Sequence, residues 1–257
     1  MLQIRAKILY NKRVKDNYFH SALAAAGLSR QARPGQFLNI RVSDVDQPLL
    51  RRPFSIHRAR GKNIEILYQV VGKATEILSR LKGGEYLDVL GPLGNGFDYP
   101  PSANRHPLTI LVAGGMGVAP LAFLAEKLGH RSLVLIGAKA KADILSVKEF
   151  RDLKCEVKIS TDNGSEGFKG KATELLKKIL PLAMSHKPIA IYACGPKPML
   201  KEIAIIAKNY KIPAQVSLEE HLACGIGACL GCAVKTKEGF KRICKEGPVF
   251  NAQEIIW

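Results

Sequence analysis

The chain has 257 residues, 47% apolar and 24% charged, with 23 glycines and 14 prolines; this suits a folded protein of two domains plus a small appendage and excludes a disordered chain. No window approaches the roughly 18 uninterrupted apolar residues of a membrane helix, and Met1–Lys7 lacks the apolar core of a secretion signal, so a cytoplasmic protein is expected. Lysine and arginine exceed aspartate and glutamate by 17, yet they are scattered (Arg51-Arg52, Lys177-Lys178, Lys235, Lys241-Arg242) with no basic tail, which points to a solvated basic surface and away from nucleic acid.

From Met1 to about Asp98, short alternating or β-branched runs (Ile4–Leu9, Phe37–Val42, Ile64–Val71, Tyr86–Leu90) are separated by Gly, Pro and Asp. They predict a small antiparallel β-barrel over 1–100. Inside it, Thr75–Leu81 has a helical period and opens at a threonine suited to cap it. Pro100-Pro101-Ser102-Ala103-Asn104 reads as a linker, after which strands alternate with helices. Strands are predicted at Leu108–Ala113, Ser132–Gly137, Glu156–Ser160 and Ile189–Ala193, and helices at Val118–Leu128, Ala172–Leu180 and Pro198–Lys208. That alternation predicts an α/β parallel-sheet nucleotide domain over 101–216, giving an α+β multidomain architecture. The stretch 217–257 is too short for a core of its own and needs a staple.

The staple is legible in the cysteines. Cys224, Cys229, Cys232 and Cys244 are spaced C-x4-C-x2-C-x11-C, while Cys155 and Cys194 stand alone. The first three match the plant-type two-iron spacing, and Gly225, Gly227, Ala228 and Gly231 are small enough for backbone N–H groups to approach the sulfurs. A structural zinc site and four free thiols are the competing readings, although zinc favours two separated C-x2-C knuckles and only one is present.

In the barrel, Arg52-Pro53-Phe54-Ser55 offers a forked cation, an apolar ring and a hydroxyl, parts that suit a flavin as well as a solvated turn. Leu67-Tyr68-Gln69 lies on a strand, and Gly72-Lys73-Ala74-Thr75 turns into a helix whose N-terminus suits a phosphate, or is simply capped by Thr75. Further on, Gly114-Gly115-Met116-Gly117-Val118-Ala119-Pro120 follows a strand as a pyrophosphate-type glycine turn, and Cys194-Gly195-Pro196 ends a strand at the same sheet edge. Lys139 and Lys141 follow the second strand, where an acid would normally read an NAD ribose. That leans toward tolerance of a 2′-phosphate.

In this order, Arg-Pro-Phe-Ser, Gly-Lys-Ala-Thr, Gly-Gly-Met-Gly-Val-Ala-Pro, Cys-Gly-Pro and the four-cysteine tail resemble the ferredoxin reductase superfamily. Glu219–Cys232 together with Cys244–Phe250 resembles the electron-transfer subunits of type B dihydroorotate dehydrogenases, over essentially the whole chain. The resemblance implies FAD, a [2Fe-2S] cluster and NAD as electron acceptor. It also implies a separate catalytic flavoprotein that oxidises dihydroorotate in pyrimidine biosynthesis, in a heterotetramer with two copies of each chain. By motif, Arg52, Pro53, Phe54, Ser55, Leu67, Tyr68, Gln69, Ala74 and Thr75 would contact FAD. Gly114, Gly115, Gly117, Cys194 and Gly195 would line the nicotinamide site, and Cys224, Cys229, Cys232 and Cys244 would hold the iron. No residue is assigned dihydroorotate chemistry. One departure stands out: Ala74 replaces the family's usual glycine, and a positive φ there would strain it.

The rival functions are a subunit of a sulfide dehydrogenase or ferredoxin:NADP oxidoreductase and, from another class, a zinc-stapled interaction module. The tail's Ile226, Leu230, Val249, Phe250, Ile255, Ile256 and Trp257 exceed what a stapled segment buries by itself, which suggests either a partner surface or packing onto the larger domains.

Overall fold

The structure, a computed structural model, describes residues 1–43, 45, 47–99, 108–129, 132–184 and 189–257. The predicted linker at 100–104 lies outside the described residues. The chain divides into two compact units, one of residues 1–96, 220–234 and 241–248, the other of residues 97–219, 235–240 and 249–257.

The first unit is a closed barrel of six antiparallel strands: β1 (Leu2–Lys15), β2 (Tyr18–Ala24), β3 (Phe37–Arg41), β4 (Arg52–Arg60), β5 (Asn63–Gln69) and β6 (Tyr86–Leu93), ordered β1-β2-β5-β4-β3-β6. Closure removes the exposed edges that would otherwise template aggregation, and Ile8, Leu23, Leu38, Ile40, Ile56, Ile64, Ile66 and Val89 are fully buried. Two short helices accompany it, α1 (Ala26–Gln31) and α2 (Lys73–Arg80).

Two sequence readings need correction in this unit. Arg52-Pro53-Phe54-Ser55 is not a turn but the start of β4, with Pro53 paired to Asn39 of β3. Helix α2 begins two residues before Thr75, so Thr75 is not its N-cap but caps from within. Its hydroxyl accepts from the Val71 and Gly72 N–H groups at 2.9 and 3.2 Å and donates to the Gly72 carbonyl at 2.9 Å.

The second unit carries a seven-stranded sheet. In chain order its elements are β7 (Leu108–Gly114), α3 (Val118–Leu128), β8 (Leu133–Ala138), α4 (Val147–Asp152), β9 (Glu156–Thr161), β10 (Phe168–Lys169), α5 (Ala172–Met184), β11 (Ile189–Cys194), α6 (Lys197–Asn209) and β12 (Ala214–Ser217). The sheet order is β10-β9-β8-β7-β11-β12, parallel throughout, with a last strand described below. Central β7 is apolar from Ile110 to Ala113 because helices cover both faces of such a sheet; Ile110, Leu111, Val112 and Ala113 are fully buried. Helix α3 stops at Gly129 in the left-handed region, φ +62. Helix α5 outruns its predicted end, continuing through Pro181 to Met184.

The C-terminal stretch contributes to both units. A hairpin of β13 (Ala233–Thr236) and β14 (Gly239–Arg242) follows the cysteine loop, and β15 (Val249–Asn251) pairs antiparallel with β12 as the seventh strand. This pairing sorts the apolar tail: Val249, Phe250 and Ile255 are buried, whereas Ile226, Leu230 and Ile256 stay exposed. Trp257 is half-buried, its indole N–H donating to the Ala252 carbonyl at 3.3 Å. Among the described residues no helix is long and apolar enough to cross a membrane.

Candidate functional site

The four tail cysteines stand as two pairs. Cys224 and Cys229 have their sulfurs 3.4 Å apart, and Cys232 and Cys244 are likewise 3.4 Å apart. A disulfide would bring them to about 2.05 Å. Two thiolates on one tetrahedral metal, with bonds of about 2.3 Å, stand about 3.7 Å apart, so each pair suits one metal ion. One zinc holding all four would draw every sulfur to a common centre. Among the described residues no three His, Cys, Asp or Glu side chains form such a group, and two pairs match a two-iron centre better.

The loop is shaped to solvate negative sulfur. Gly225 and Gly227 take φ of +69 and +82, turning N–H groups inward. The Gly227 N–H donates to Cys244 Sγ at 3.1 Å and the Cys229 N–H to Cys224 Sγ at 3.4 Å. Burial raises the Cys224 thiol, but the N–H groups of Cys229, Ile226 and Ala228 outweigh it and bring it down to about 6. Burial and the adjacent Cys232 push Cys244 up to about 12. Ligation requires both thiols deprotonated, so positive charge at the centre has to overcome that second shift.

Two further residues brace this loop, and neither was singled out in the sequence. Arg242 donates from Nη1 to the Gly227 carbonyl at 2.7 Å and forks onto Glu246, with Nη2 to Oε1 at 2.5 Å and Nε to Oε2 at 3.1 Å. The i,i+4 spacing was the available signal. Asn39 of β3 donates from Nδ2 to the Cys224 carbonyl at 3.3 Å, a contact across 185 residues that no local pattern announces.

In the barrel the fold brings the flavin candidates together, because β4 and β5 are neighbours and α2 follows β5 directly. Phe54 and Tyr68 meet edge-on with ring centres 5.7 Å apart, and Tyr68 stacks on Phe19. The Tyr68 hydroxyl donates to Asn11 Oδ1 at 3.0 Å, and burial pushes its phenol up to about 12. Phe54, Leu67, Tyr68, Ala74 and Thr75 are buried, leaving Arg52, Pro53, Ser55 and Gln69 as the accessible side chains. Arg52 Nη1 is held by the Leu50 carbonyl at 2.6 Å. Ala74 is not among the residues with positive φ, so the strain considered for it does not arise. The open N-terminus of α2 with these side chains fits an anionic, ring-bearing cofactor.

In the α/β unit the two glycine turns interlock. A Cβ on Gly117 would lie 1.9 Å from the Cys194 carbonyl oxygen, and one on Gly195 would lie 2.9 Å from the Gly114 Cα. Gly117 and Gly195 are thus required by backbone packing between the turns that follow β7 and β11, and a Cβ on Gly114 would meet the Pro196 ring at 2.7 Å. Gly115 differs: at φ +53 a Cβ there would meet nothing within 4 Å, so its backbone borders open space at the sheet edge where ligands gather in such folds. The Cys194 side chain is fully buried. Burial and the nearby Glu219 raise its thiol far above the ordinary range, outweighing the hydrogen bond with Ser217 that lowers it, so the group is neutral rather than nucleophilic.

Residues 219–256 match the family "Iron-sulfur cluster binding domain of dihydroorotate dehydrogenase B", and residues 111–204 match "Oxidoreductase NAD-binding domain". The dihydroorotate dehydrogenase B (NAD(+)) electron transfer subunit of Desulforamulus reducens is 41% identical, covering 98% of this chain and 97% of its own. That of Caldanaerobacter subterraneus subsp. tengcongensis is 37% identical over 99% of each. Among solved structures, an NADH-dependent reduced ferredoxin-NADP oxidoreductase studied for flavin-based electron bifurcation superposes with a TM-score of 0.86 at 29% identity, covering 99% of this chain and 90% of that one. A Neisseria gonorrhoeae ferredoxin NADP+ reductase with bound FAD and NADP shares the fold at a TM-score of 0.65, 16% identity, and coverage of 80% of this chain and 91% of that one. The chain belongs to the family of dihydroorotate dehydrogenase B electron transfer subunits.

Proposed function

We propose that this chain passes electrons from a partner flavoprotein dihydroorotate dehydrogenase through a [2Fe-2S] cluster and FAD to NAD, in pyrimidine biosynthesis. The observation that carries the reading is the pairing of four cysteines into two sulfur pairs at 3.4 Å within a loop of inward N–H groups.

Bound flavin and cluster supply the exchange between two-electron hydride chemistry and single-electron steps. The chain's own residues do the rest. Cys224 with Cys229, and Cys232 with Cys244, would each hold one iron, and the Gly227 and Cys229 N–H groups would offset the thiolate charge. Arg52, Pro53, Phe54, Ser55, Leu67, Tyr68, Gln69, Ala74 and Thr75 would form the FAD site, where Arg52 and the α2 N-terminus would supply positive charge suited to an anionic group. Gly115 borders the nicotinamide dinucleotide, while Gly114, Gly117, Cys194 and Gly195 fix the shape of that edge. By chemistry the chain divides into an FAD region over 1–100, a nucleotide region over 101–216 and a cluster region over 217–257.

The partner chain carries out dihydroorotate oxidation, in a cytoplasmic heterotetramer with two copies of each subunit. Support for an outside partner comes from the exposed Ile226 and Leu230, which flank the cysteines. The test is to assay the isolated chain for NADH-dependent dye reduction and for dihydroorotate oxidation, then add the candidate catalytic subunit. Dye reduction alone, followed by dihydroorotate-dependent NAD reduction once the partner is present, is expected. Dihydroorotate oxidation by the isolated chain, or no gain on adding the partner, would overturn the proposal.

A further inference from the structure

We infer that Asn39 is a positioning residue that ties the first cluster cysteine to the strand beside the flavin motif. Asn39 sits between Leu38 and Ile40 on β3, and only 1% of it is exposed. Burying a primary amide is costly unless it is bonded, so an asparagine among core residues needs a specific partner. That partner is the cysteine loop. Nδ2 donates to the Cys224 carbonyl at 3.3 Å, and a Cβ on Gly225 would fall 2.3 Å from the same nitrogen. The amide therefore occupies the space that a side chain at 225 would need.

The other end of the residue faces the flavin strand. The Asn39 backbone pairs with Pro53, in the middle of Arg52-Pro53-Phe54-Ser55. Arg51 Nη1 donates to the Asn39 carbonyl at 3.4 Å and to the Asp88 carbonyl at 2.9 Å, pinning β3 to β6 at that level. One residue thus has its main chain in the ladder beside the flavin candidates and its side chain on the residue that supplies the first sulfur.

The orientation of the amide is set by the Cys224 carbonyl, which only accepts. Turned over, it would bring its oxygen against the Cys224 carbonyl. As it stands, Oδ1 is buried with no hydrogen-bond partner among the described residues. An amide kept in the core with its oxygen unpartnered is retained for the bond that its nitrogen makes. Asn39 ligates nothing, and its effect passes through the position of Cys224.

The inference rests on the cluster assignment above, and the two fail differently: without a cluster the wild-type chain itself yields no iron and no paramagnetic signal on reduction. The experiment compares the full-length wild type with Asn39→Asp, which keeps the shape but removes the donor. Flavin content, iron content, iron release to a chelator and the electron paramagnetic resonance spectrum of the dithionite-reduced protein are measured. Wild-type flavin content is expected, with an altered resonance spectrum and iron stripped at about 10- to 100-fold lower chelator concentration. Complete loss of iron with flavin retained supports the same role. A wild-type spectrum with wild-type chelator resistance would overturn it, as would parallel loss of flavin and iron, which would make Asn39 a barrel core residue only. If Asn39→Asp fails to fold, Asn39→Leu, similar in volume and uncharged, is judged by the same outcomes.

Discussion

Arg242, the last residue of β14, and Glu246, in the turn after it, form a two-pronged ion pair, and the same guanidinium reaches the carbonyl of Gly227 inside the cysteine loop at 2.7 Å. Arg242 beside it holds the Glu246 carboxyl down to about 2, against an ordinary value of 4.5. A carboxylate depressed on folding stabilises the fold above its unfolded value and loses that contribution as pH falls through the folded one. Glu246→Gln should therefore lower the thermal midpoint at pH 7, and its gap to wild type should close between about pH 4.5 and pH 2. The drop is modest, because both side chains are partly exposed and solvent screens them. Arg242→Lys keeps the charge but loses the fork, so iron should leave it faster than from wild type while flavin content is unchanged. Melting curves across pH and iron release to a chelator test the two.

Cys229→Ser should lose the cluster and keep FAD, because the flavin candidates lie on β4, β5 and α2 and share no ligand with it. Unchanged iron content in anaerobically purified protein would refute the cysteine assignment. Gly225→Ala should act similarly: left-handed backbone costs an L-residue about 1–2 kcal/mol, and the added methyl collides with Asn39. Gly231→Ala is the matched control, since a Cβ there meets only Cys229 Sγ at 3.7 Å, an ordinary contact.

These loop glycines show which parts of the molecule the sequence reveals. Period-2 runs and the later strand–helix alternation announce β1, β3, β5, β6 and most of the parallel sheet, because burial of one face or of both leaves a local pattern. Strand β2 is less legible: Tyr18, Phe19, Ser21, Ala22 and Leu23 are all buried, so its alternation is blurred. Strand β4 is masked by an Arg-Pro start that resembles a turn. Strands β10 and β12 to β15 have two to four residues each, too few for any period, and exist because neighbours pair with them. The cysteine spacing was readable in one dimension. The Asn39 contact was not, since its partner lies 185 positions away.

The nucleotide edge gives a prediction that separates packing from binding. Gly117→Ala places a methyl 1.9 Å from the Cys194 carbonyl, so the two turns must part and NADH-dependent dye reduction should fall by at least tenfold, on the order of 1.4 kcal/mol. The cluster's resonance spectrum should be unchanged. Wild-type turnover would show that the interlock is dispensable. NADH should be preferred over NADPH in the same assay. Of the two lysines after β8, Lys141 is already engaged by Glu166 at 3.1 Å, and flexible lysines do not reproduce the bidentate grip of an arginine on a 2′-phosphate. A clear NADPH preference would refute that expectation.

Leu230 offers the sharpest test of the partner. It lies between Cys229 and Cys232 and is 74% exposed, although nothing in a self-contained reductase requires a large apolar side chain in solvent beside a redox centre. Val249, Phe250 and Ile255 of the same tail found partners within the fold, whereas Leu230 and Ile226 beside the cysteines, and Ile256 near the end of the tail, stay exposed. If the catalytic subunit covers them, burying Leu230 contributes about 1.5–3 kcal/mol, or about 10- to 150-fold in affinity. Leu230→Glu should then weaken association by at least that factor and raise the subunit concentration needed for dihydroorotate-dependent NAD reduction. NADH-dependent dye reduction by the isolated chain should be unchanged, because the flavin and nucleotide residues are untouched. Leu182→Glu, equally exposed on α5 of the other unit, serves as control and should alter neither measurement. Titrating each variant with the catalytic subunit decides the matter: wild-type affinity for Leu230→Glu would mean that the partner docks elsewhere.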